Sequence, residues 1–393
     1  MKVIICGAGI AGLALAWWLD RDGWQVLLVE RAPGPRAEGY MIDFVGSGYD
    51  VAELMGALPN LRDIQTSIHE VRYLDPTGQD IGGFDYHQFA AIFEDRVFTF
   101  LRGDLERVLH DLLADRVPIR YATTVDSITD SANHVAVTLS DGSTEQVDLL
   151  VGADGIHSRI RDLAFGPEQP LLRPLGYHTA SYLFRDDQLR HRIGNRFLLV
   201  AVPDRQLGLY PTDNGQVAAW LVHRTDDPTL PADPRAELLD RYRGMGDLAD
   251  RALAHCPAGP GLYYDQVAQI ELAGWRRGRV TLVGDACQAV SLMAGQGASL
   301  AMGGAYVLAD QLRRHGSTEA ATAGYEQLMR PFVTTKQRAG RRTARWLVPS
   351  STWRIHARSA AFTAMRLPGM CWLARAALAG PVASVVPANP RRR

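Results

Sequence analysis

The chain has 393 residues, of which 47% are hydrophobic and 22% are charged, and its formal net charge is −1. This length and composition indicate a globular protein with room for two domains, and the near-zero charge gives no support for nucleic-acid binding. The four cysteines are scattered without a C-x-x-C pair, which argues against a zinc site or a disulfide framework and favours a reducing cytoplasm. The short apolar start ends in glycines, so no secretory leader is predicted.

The first predicted elements are a strand, a glycine-rich turn, a helix and a second strand. Residues 2–6 form a β-branched apolar run, residues 10–20 show helical spacing, and residues 25–30 return to a strand that ends in Glu30. The turn carries Gly7, Ala8, Gly9, Ile10, Ala11 and Gly12. Its three glycines allow a tight turn, close approach to a pyrophosphate and close helix packing, and Glu30 is placed to bind a ribose. The segment predicts a bound dinucleotide but leaves FAD and NAD(P) open.

Two segments follow whose roles the sequence leaves open. Residues 40–48 are either a glycine-containing loop that approaches a cofactor and permits its movement, or a simple strand and turn. Arg102 opens a predicted helix after a strand over residues 98–100. An arginine at this position either binds the pyrophosphate as a bidentate donor or caps the helix.

Two later turns combine glycine with an acidic residue. A strand over residues 148–151 runs into Gly152-Ala153-Asp154-Gly155, where Asp154 either binds ribose or phosphate or caps the next helix. A strand over residues 279–283 ends in Gly284-Asp285, and Gly295, Gln296 and Gly297 precede a predicted helix over residues 298–314. The carboxylate of Asp285 can bind ribityl hydroxyls, and the helix N-terminus can stabilise negative charge on a reduced flavin.

The middle of the chain predicts an antiparallel meander, with strands over residues 176–185, 196–202, 206–210 and 216–223. Four aromatic residues in these strands either line an apolar substrate pocket or pack in the core: Tyr182, Phe184, Tyr210 and Trp220. No cluster of carboxylate-binding side chains is evident, which favours a polycyclic or largely apolar substrate over a small charged benzoate.

The sequence resembles the class A FAD monooxygenases, the family of para-hydroxybenzoate hydroxylase, and within it the branch of tetracycline-inactivating and polyketide-tailoring hydroxylases. The resemblance covers residues 1–345. It rests on the glycine turn with Glu30 and Arg31, on Arg102, on Gly152–Gly155 with Ser158 and Arg161, on Gly284-Asp285-Ala286, and on Gly295-Gln296-Gly297. It implies an α/β fold in which a Rossmann-like FAD-binding domain of the glutathione-reductase type is interleaved with an antiparallel β-sheet substrate domain, followed by C-terminal helices. The implied FAD domain comprises residues 1–75, 99–170 and 270–345, the substrate domain comprises 76–98 and 171–269, and the C-terminal helical tail comprises 346–393.

The resemblance also implies a role for each matching residue. The turn from Gly7 to Gly12 would contact the FAD pyrophosphate, Glu30 the adenosine ribose, and Arg102 the phosphate or ribityl region, and Arg31 would also bind the cofactor. Val125 would lie near adenine through its backbone, Asp154 would support FAD and the visiting nicotinamide, and Asp285 would bind the ribityl chain. The isoalloxazine edge would meet Gly295, Gln296, Gly297, Ala298 and Ser299. Arg196 would lie near flavin and substrate. No residue is assigned a catalytic role.

The implied reaction is hydroxylation of an aromatic or polycyclic, polyketide-like molecule in antibiotic biosynthesis or inactivation. It would use bound FAD, transient NAD(P)H (NADPH favoured), O2 and a flavin C4a-hydroperoxide. Baeyer–Villiger oxygenation, flavin-dependent dehydrogenation and FAD binding without turnover are the alternatives. The sequence lacks the signatures of metal hydrolases, serine hydrolases and flavin halogenases. The expected protein is a cytoplasmic monomer or homodimer without a metal or nucleic-acid partner.

The chain departs from the family pattern at several positions. Cys287-Gln288 stand where most members have Ala-His, Leu292 replaces a proline over the flavin ring, and Ser299 and Gly303 replace Asn and an acid. We expect these positions to shape the oxygen-reacting face, so they bear on oxygenation and leave FAD binding intact. The tail is expected to pack across the substrate mouth or an interdomain groove. Attachment to a membrane surface is the disfavoured alternative.

Overall fold

A computed structural model describes residues 1–35, 40–131, 133–291, 295–364 and 384–386. Its strands are β1 (Lys2–Cys6), β2 (Gln25–Val29), β3 (Met41–Val45), β4 (Glu70–Leu74), β5 (Asp80–Asp85), β6 (Val97–Leu101), β7 (Ile119–Arg120), β8 (Val125–Asp130), β9 (Val135–Leu139), β10 (Thr144–Val147), β11 (Leu149–Gly152), β12 (Leu172–Phe184), β13 (Arg196–Val202), β14 (Arg205–Pro211), β15 (Val217–Arg224), β16 (Tyr263–Ile270), β17 (Arg276–Arg277) and β18 (Val280–Leu282).

Its helices are α1 (Ile10–Arg21), α2 (Ser47–Leu54), α3 (Leu58–Asp63), α4 (Tyr86–Ile92), α5 (Arg102–Leu113), α6 (Arg159–Phe165), α7 (Glu168–Leu171), α8 (Asp187–Ile193), α9 (Pro234–Arg241), α10 (Asp247–Ala254), α11 (Asp285–Gln288), α12 (Gly297–Arg314), α13 (Thr318–Leu347) and α14 (Thr352–Ala364).

A six-stranded, mainly parallel sheet carries the three glycine motifs. Its order is β17-β18-β11-β1-β2-β7, and β1 pairs in parallel with both β2 and β11. The central strand is buried on both faces, as parallel sheets covered by helices require, which explains its unbroken apolar run. The turns after β1, β11 and β18 leave the same edge of the sheet, because all three strands run in one direction. This topology brings the three motifs together.

A seven-stranded, mainly antiparallel sheet forms the second layer, in the order β16-β12-β15-β14-β13-β4-β5. One face packs against α9 and α10 through a buried apolar cluster that includes Tyr182, Leu221, Leu238 and Leu253. The strand β4 belongs to this sheet although its residues fall in the range 1–75 that the sequence analysis gave to the FAD domain. The two sheets and their helices confirm the predicted α/β fold class.

The C-terminal helices tie the two layers together. The 30-residue helix α13 packs beside α12, and α14 lies against β5 and β13. The ring of Phe362 in α14 stacks on Tyr73 of the second sheet at 5.5 Å between centroids. The remainder of the predicted tail, residues 365–383 and 387–393, lies outside the described residues. No helix in the described part of the chain combines the length and apolarity needed to cross a membrane.

Candidate active site

The glycine turn after β1 forms a backbone cradle at the edge of the first sheet. Gly7 has a φ of +108°, and a Cβ there would overlap the carbonyl oxygen of Ala153. A Cβ on Gly12 would overlap the carbonyl oxygen of Gly7, so only glycine allows α1 to pack against the turn. The N-terminus of α1 therefore offers backbone N–H groups to an anion at close range.

The carboxylate of Glu30 stands directly after β2, at the rim of this cradle. Its Oε2 accepts a hydrogen bond from the backbone N–H of Ala8 at 2.9 Å, and its Oε1 accepts one from Ala32 at 2.8 Å. Two backbone donors on opposite sides fix the orientation of the carboxylate. The adjacent Arg31 lines the same cavity.

Arg102 is the first residue of α5 and extends over the glycine turn. Its Nη2 lies 2.8 Å from Glu106 Oε1, one helical turn away. A Cβ placed on Gly9 would lie 3.2 Å from the Glu106 carboxylate and 3.7 Å from the Arg102 guanidinium. The cation is therefore held next to the cradle, where a pyrophosphate would bind. The ion pair with Glu106 fixes the direction of the Arg102 side chain.

Two cavities meet at Arg102 and form one elongated groove. The first, of about 230 Å³, includes Glu30, Tyr121 and Thr124 among its walls. The second, of about 140 Å³, is bounded by Asp285 and by the start of α12. Both cavities share the walls Gly9, Arg102, Ala153 and Gly155. The groove therefore runs from the predicted adenosine end, past the cradle, to the predicted flavin end.

Asp154 acts as a helix cap at the border of the first cavity. Its Oδ1 accepts a hydrogen bond from Ser158 Oγ at 2.5 Å, and its Oδ2 accepts one from the Ile160 N–H at 3.0 Å. Burial raises the pKa of the Asp154 carboxyl. Asp154 therefore caps helix α6, which was one of its two predicted roles, and its contact with FAD stays a prediction. The side chain of Val125 is fully buried, its neighbour Thr124 lines the cavity, and the backbone contact of Val125 with adenine stays a prediction.

The third motif forms the wall at the opposite end of the groove. Asp285 begins the one-turn helix α11, and its side chain is open to the second cavity. Burial raises the pKa of its carboxyl, and the charge of Arg102 acts in the opposite direction. Gly295 has a φ of +62° and lets the chain turn into α12 at Gln296. The 18-residue helix α12 thereby directs its N-terminus at the cavity, together with Gly297 and Ala298.

Three positions that were expected at the flavin face instead support the packing behind it. Ser299 is 4% exposed, and its Oγ accepts a hydrogen bond from the Val45 N–H at 3.3 Å. The Gln288 side chain is buried, and its Nε2 donates to Tyr325 Oη at 2.7 Å. A Cβ on Gly303 would lie 3.0 Å from Ser47 and from Val385, so glycine allows close packing there. The prediction that Ser299, Gln288 and Gly303 shape the oxygen-reacting face is therefore wrong. Leu292 lies outside the described residues.

Two of the predicted substrate aromatics face away from the groove. Side chains alternate across a strand, and Thr179 of β12 lines the second cavity, so Tyr182 and Phe184 point to the opposite face. The hydroxyl of Tyr182 donates to the Ala252 carbonyl at 2.9 Å in the core beneath α10. The prediction that Tyr182 and Phe184 line the substrate pocket is therefore wrong.

Arg196 is also placed differently from the expectation. Its Nε donates to the carbonyl of Ile193 at 3.0 Å and its Nη2 to the carbonyl of Arg192 at 2.6 Å. These bonds satisfy carbonyls at the end of α8, where a cation also complements the helix dipole. Arg196 is therefore a C-terminal cap on the surface, which corrects its predicted position beside flavin and substrate.

Tyr210 and Trp220 lie on the groove side of the second sheet. Trp220 pairs with Ser181 and Tyr210 with Ala218 in the sheet register, which puts both on the face that Thr179 occupies. The Tyr210 hydroxyl accepts a hydrogen bond from the Met41 N–H at 2.8 Å. The two side chains share an aromatic cluster with Phe197. They form the apolar floor next to the second cavity, and direct substrate contact stays a prediction.

The structure adds cavity residues that sequence reasoning did not single out. Tyr40 and Tyr263 both line the second cavity, and their rings pack against each other with centroids 5.8 Å apart. The Oε1 of Gln266 and the Oγ of Ser291 are buried and have no hydrogen-bond partner among the described residues. The signal for Tyr40 was its place in the glycine-containing segment 40–48. No local signal marked Tyr263 or Gln266, because their position depends on the sheet register.

His157 connects the second motif to the second sheet. Its Nε2 lies 3.2 Å from Asp265 Oδ1 in β16, and its Nδ1 lies 3.1 Å from Glu168 Oε1. The hydrogen bond to Asp265 is the main reason that the pKa of His157 rises to about 9. At neutral pH the side chain is therefore a cation between two carboxylates. It also lines the first cavity.

The groove fits FAD in its shape and in its donor groups. The cradle and Arg102 would hold the pyrophosphate, Glu30 the adenosine ribose, and Asp285 the ribityl hydroxyls. The unpartnered buried atoms of Gln266 and Ser291 stand at the flavin end, where a ligand would satisfy them. No group of three or more His, Cys, Asp or Glu in the described part of the chain could hold a metal ion.

Comparison with known proteins agrees with this fit. The family model described as "FAD binding domain" matches residues 95–334, and the model described as "FAD dependent oxidoreductase" matches residues 2–50. The chain belongs to the FAD-binding-domain family, and within it to the class A flavin monooxygenases predicted from the motifs. It is an oxidoreductase.

Individual relatives are similar over nearly the whole chain. A flavin-dependent monooxygenase of an unknown prokaryotic organism is 31% identical over 348 residues, covering 86% of this chain and 88% of the relative. A flavin-dependent monooxygenase of Legionella longbeachae is 31% identical over 346 residues, with the same coverage. The crystal structure of tetracycline destructase Tet(55) superimposes with a TM-score of 0.83 at 28% identity and covers 98% of both chains.

Proposed function

We propose that this flavin-dependent monooxygenase uses NAD(P)H and O2 to hydroxylate a neutral aromatic or polycyclic small molecule. When bound, FAD would accept two electrons from NAD(P)H and then react with O2, so that one oxygen atom enters the substrate and the other leaves as water. The chain's own residues hold the cofactor and shape the cavity. NADPH is the first donor to test.

The observation that carries the substrate class is the distribution of charge around the second cavity. Among the described residues, its charged walls are Arg102, Asp265 and Asp285. Arg102 is paired with Glu106, Asp265 lies against His157, and Asp285 is assigned to the ribityl chain. The other walls supply apolar, aromatic and uncharged polar groups such as Tyr40, Tyr263 and Gln266. These groups favour a flat, neutral ring system with a few hydroxyl or carbonyl groups.

A binding preference for polycyclic molecules is also supported by the relatives. Tetracycline destructase Tet(55) is named for a polycyclic antibiotic. The aromatic cluster of Tyr210, Trp220 and Phe197 packs beside the cavity and makes that face of the second sheet apolar. We therefore propose a polyketide-like substrate. We further propose a cytoplasmic location, because the buried free thiols of Cys6, Cys256 and Cys287 suit a reducing compartment. The proposed assembly is a monomer or a homodimer.

The test is anaerobic reduction of the flavin-loaded protein by NADPH or NADH, followed at the oxidised-flavin absorbance band with and without a polycyclic phenol. Reduction that the phenol accelerates, followed in air by a product carrying one atom from 18O2, supports the hydroxylase. Ring expansion to an ester would favour Baeyer–Villiger oxygenation, and loss of two hydrogens without labelled oxygen would favour dehydrogenation. Absence of reduction by either donor would overturn the proposed NAD(P)H-dependent cycle.

A further inference from the structure

The chain uses lysine at only two positions, Lys2 and Lys336, although it has 42 lysine and arginine residues in total. Lys2 begins the central strand β1 of the first sheet and forms a partly exposed ion pair with Glu145. Lys336 is in the middle of α13 and is 6% exposed. A compact ammonium group is costly to bury, so its position is informative.

The ammonium of Lys336 is aimed at the loop that opens α12. Its Nζ donates a hydrogen bond to Gln296 Oε1, and it lies 4.6 Å from the ring centroid of Phe332 on the same helix. Gln296 lines the flavin end of the groove, whereas Lys336 stands outside the cavity wall. The positive charge is thus separated from the flavin end of the cavity by a single side chain.

The neighbouring residue of α13 fixes this arrangement. Gln337 is buried, and its Nε2 donates to the carbonyls of Ile270 and Ala289 at 2.9 and 3.0 Å. Its own carbonyl accepts a hydrogen bond from Gln269, which also donates to the Val290 carbonyl at 2.9 Å. Ala289 and Val290 are walls of the second cavity. The helix therefore braces this cavity wall from behind, and Lys336 cannot move away freely.

We propose that Lys336 is a positioning residue of the flavin site, which holds Gln296 in place and supplies a buried positive charge that favours the negatively charged, reduced flavin. A charge in a partly desolvated interior acts over a longer distance than one in water. The N-terminus of α12 adds positive potential from the same direction. The proposal rests on FAD binding in the groove and is independent of the substrate.

The protonation of Lys336 agrees with this role. Burial lowers the pKa of the Lys336 ammonium to about 8. The group is therefore mainly cationic at pH 7 and can supply the charge under neutral conditions.

The experiment measures the midpoint potential of the bound flavin at pH 7 against a reference dye, in wild type and in Lys336→Met, Lys336→Gln and Lys336→Arg. For the two neutral variants we expect the equilibrium constant for two-electron reduction to fall by about tenfold or more, which corresponds to about 30 mV. Lys336→Arg should stay within a few-fold of wild type. Lys2→Met removes the other lysine and is the matched control, with no expected change.

Two outcomes of this series would overturn the proposal. If both neutral variants bind FAD at the wild-type potential, the charge of Lys336 has no effect on flavin reduction. If Lys336→Gln has the wild-type potential and Lys336→Met does not, Lys336 acts only through its hydrogen bond. Because the dye and a chemical reductant drive the reaction, these outcomes do not depend on NAD(P)H or a substrate. They are therefore distinguishable from failure of the proposed hydroxylation.

A measurement on the wild-type protein covers the case in which the neutral variants fail to fold or to retain FAD. Protein labelled with 13C at the lysine ε-carbon gives two lysine signals, which the Lys2→Arg variant assigns. Reduction of the flavin at pH 8 should shift the Lys336 signal toward its protonated position and leave the Lys2 signal unchanged. A Lys336 signal that does not respond to reduction would overturn the proposal.

Discussion

The guanidinium of Arg161 donates a hydrogen bond from Nη1 to the Ala286 carbonyl at 3.0 Å and thereby joins the second motif to the third. Its Nη2 donates to the Ile156 carbonyl at 2.7 Å and to Glu168 Oε2 at 3.0 Å. The side chain is fully buried, which lowers its pKa. One arginine therefore fixes the separation of two turns that both border the cofactor groove.

Arg161→Met should destabilise the protein, because the substitution leaves two carbonyls without their charged donor and removes one of the two cations beside Glu168. We expect a loss of about 2–4 kcal/mol in the free energy of unfolding, measured by urea denaturation. Arg173→Met is the matched control: Arg173 forms one exposed ion pair with Glu271, and its loss should cost less than about 1 kcal/mol. Equal effects of the two substitutions would contradict the linking role of Arg161.

Asp285→Ala should yield protein that is largely free of flavin after purification. The carboxylate is open to the cavity and lies near Gly297, so its removal deletes the proposed ribityl contact at the start of α11. Flavin content is measured from the ratio of flavin to protein absorbance. Asp162→Ala changes an acid in α6 that is not a wall of either cavity, and it should retain flavin. Full flavin occupancy in Asp285→Ala would rule out the ribityl contact.

Arg102→Ala should weaken FAD binding by about 1.5–3 kcal/mol, the usual contribution of a hydrogen bond to a charged group. The structure adds a second reason, because the substitution leaves the Glu106 carboxylate next to the cradle without this cation. Isothermal titration of apoprotein with FAD measures the effect. Arg116→Ala, which removes an ion pair with Asp20, should leave the affinity unchanged. Unaltered affinity in Arg102→Ala would exclude Arg102 from the phosphate site.

The local motifs could be predicted from the sequence because their chemistry is local. The position of Gly7 follows from a left-handed turn between a strand and a helix, and Glu30 follows from the end of the next strand. These constraints act within a few residues and do not depend on the rest of the chain. The cradle and the acid at its rim lie where the sequence placed them.

The substrate side could not be predicted in the same way. The strand β12 is buried on both faces near Tyr182, so its alternation carries no polarity signal to show which face borders the groove. Arg196 shows the same limit, since a capping role depends on the end of α8 coming next to it in space. Only the sheet register decided that Trp220 faces the cavity side and that Tyr182 does not.

The charge on His157 predicts a pH-dependent contribution to stability. Its pKa is raised to about 9, chiefly by Asp265, above the value of about 6.5 in an unfolded chain. The contribution is therefore complete below about pH 6.5 and is lost as the pH rises through 9. Because 41% of the side chain is exposed, solvent screening limits the effect to about 1 kcal/mol. Urea denaturation of wild type and His157→Gln should differ at pH 6 and coincide near pH 10. An equal difference at both pH values would contradict the ionic role.

The burial of Gln288 predicts that its departure from the family pattern affects packing more than oxygen chemistry. Its Nε2 donates to Tyr325, whose hydroxyl in turn donates to the Leu282 carbonyl at 3.0 Å in the strand before Asp285. Gln288→Met keeps the length of the side chain and removes this bond, so it should cost about 1 kcal/mol of stability. The fraction of NADPH oxidation that yields hydroxylated product should stay at the wild-type value. Ala289→Ser places a polar group in the cavity wall directly after Gln288, and it is the contrasting variant that should alter this fraction. If Gln288→Met lowers the fraction of NADPH oxidation that yields product while flavin content is unchanged, Gln288 does act on the oxygen reaction and the packing role is wrong.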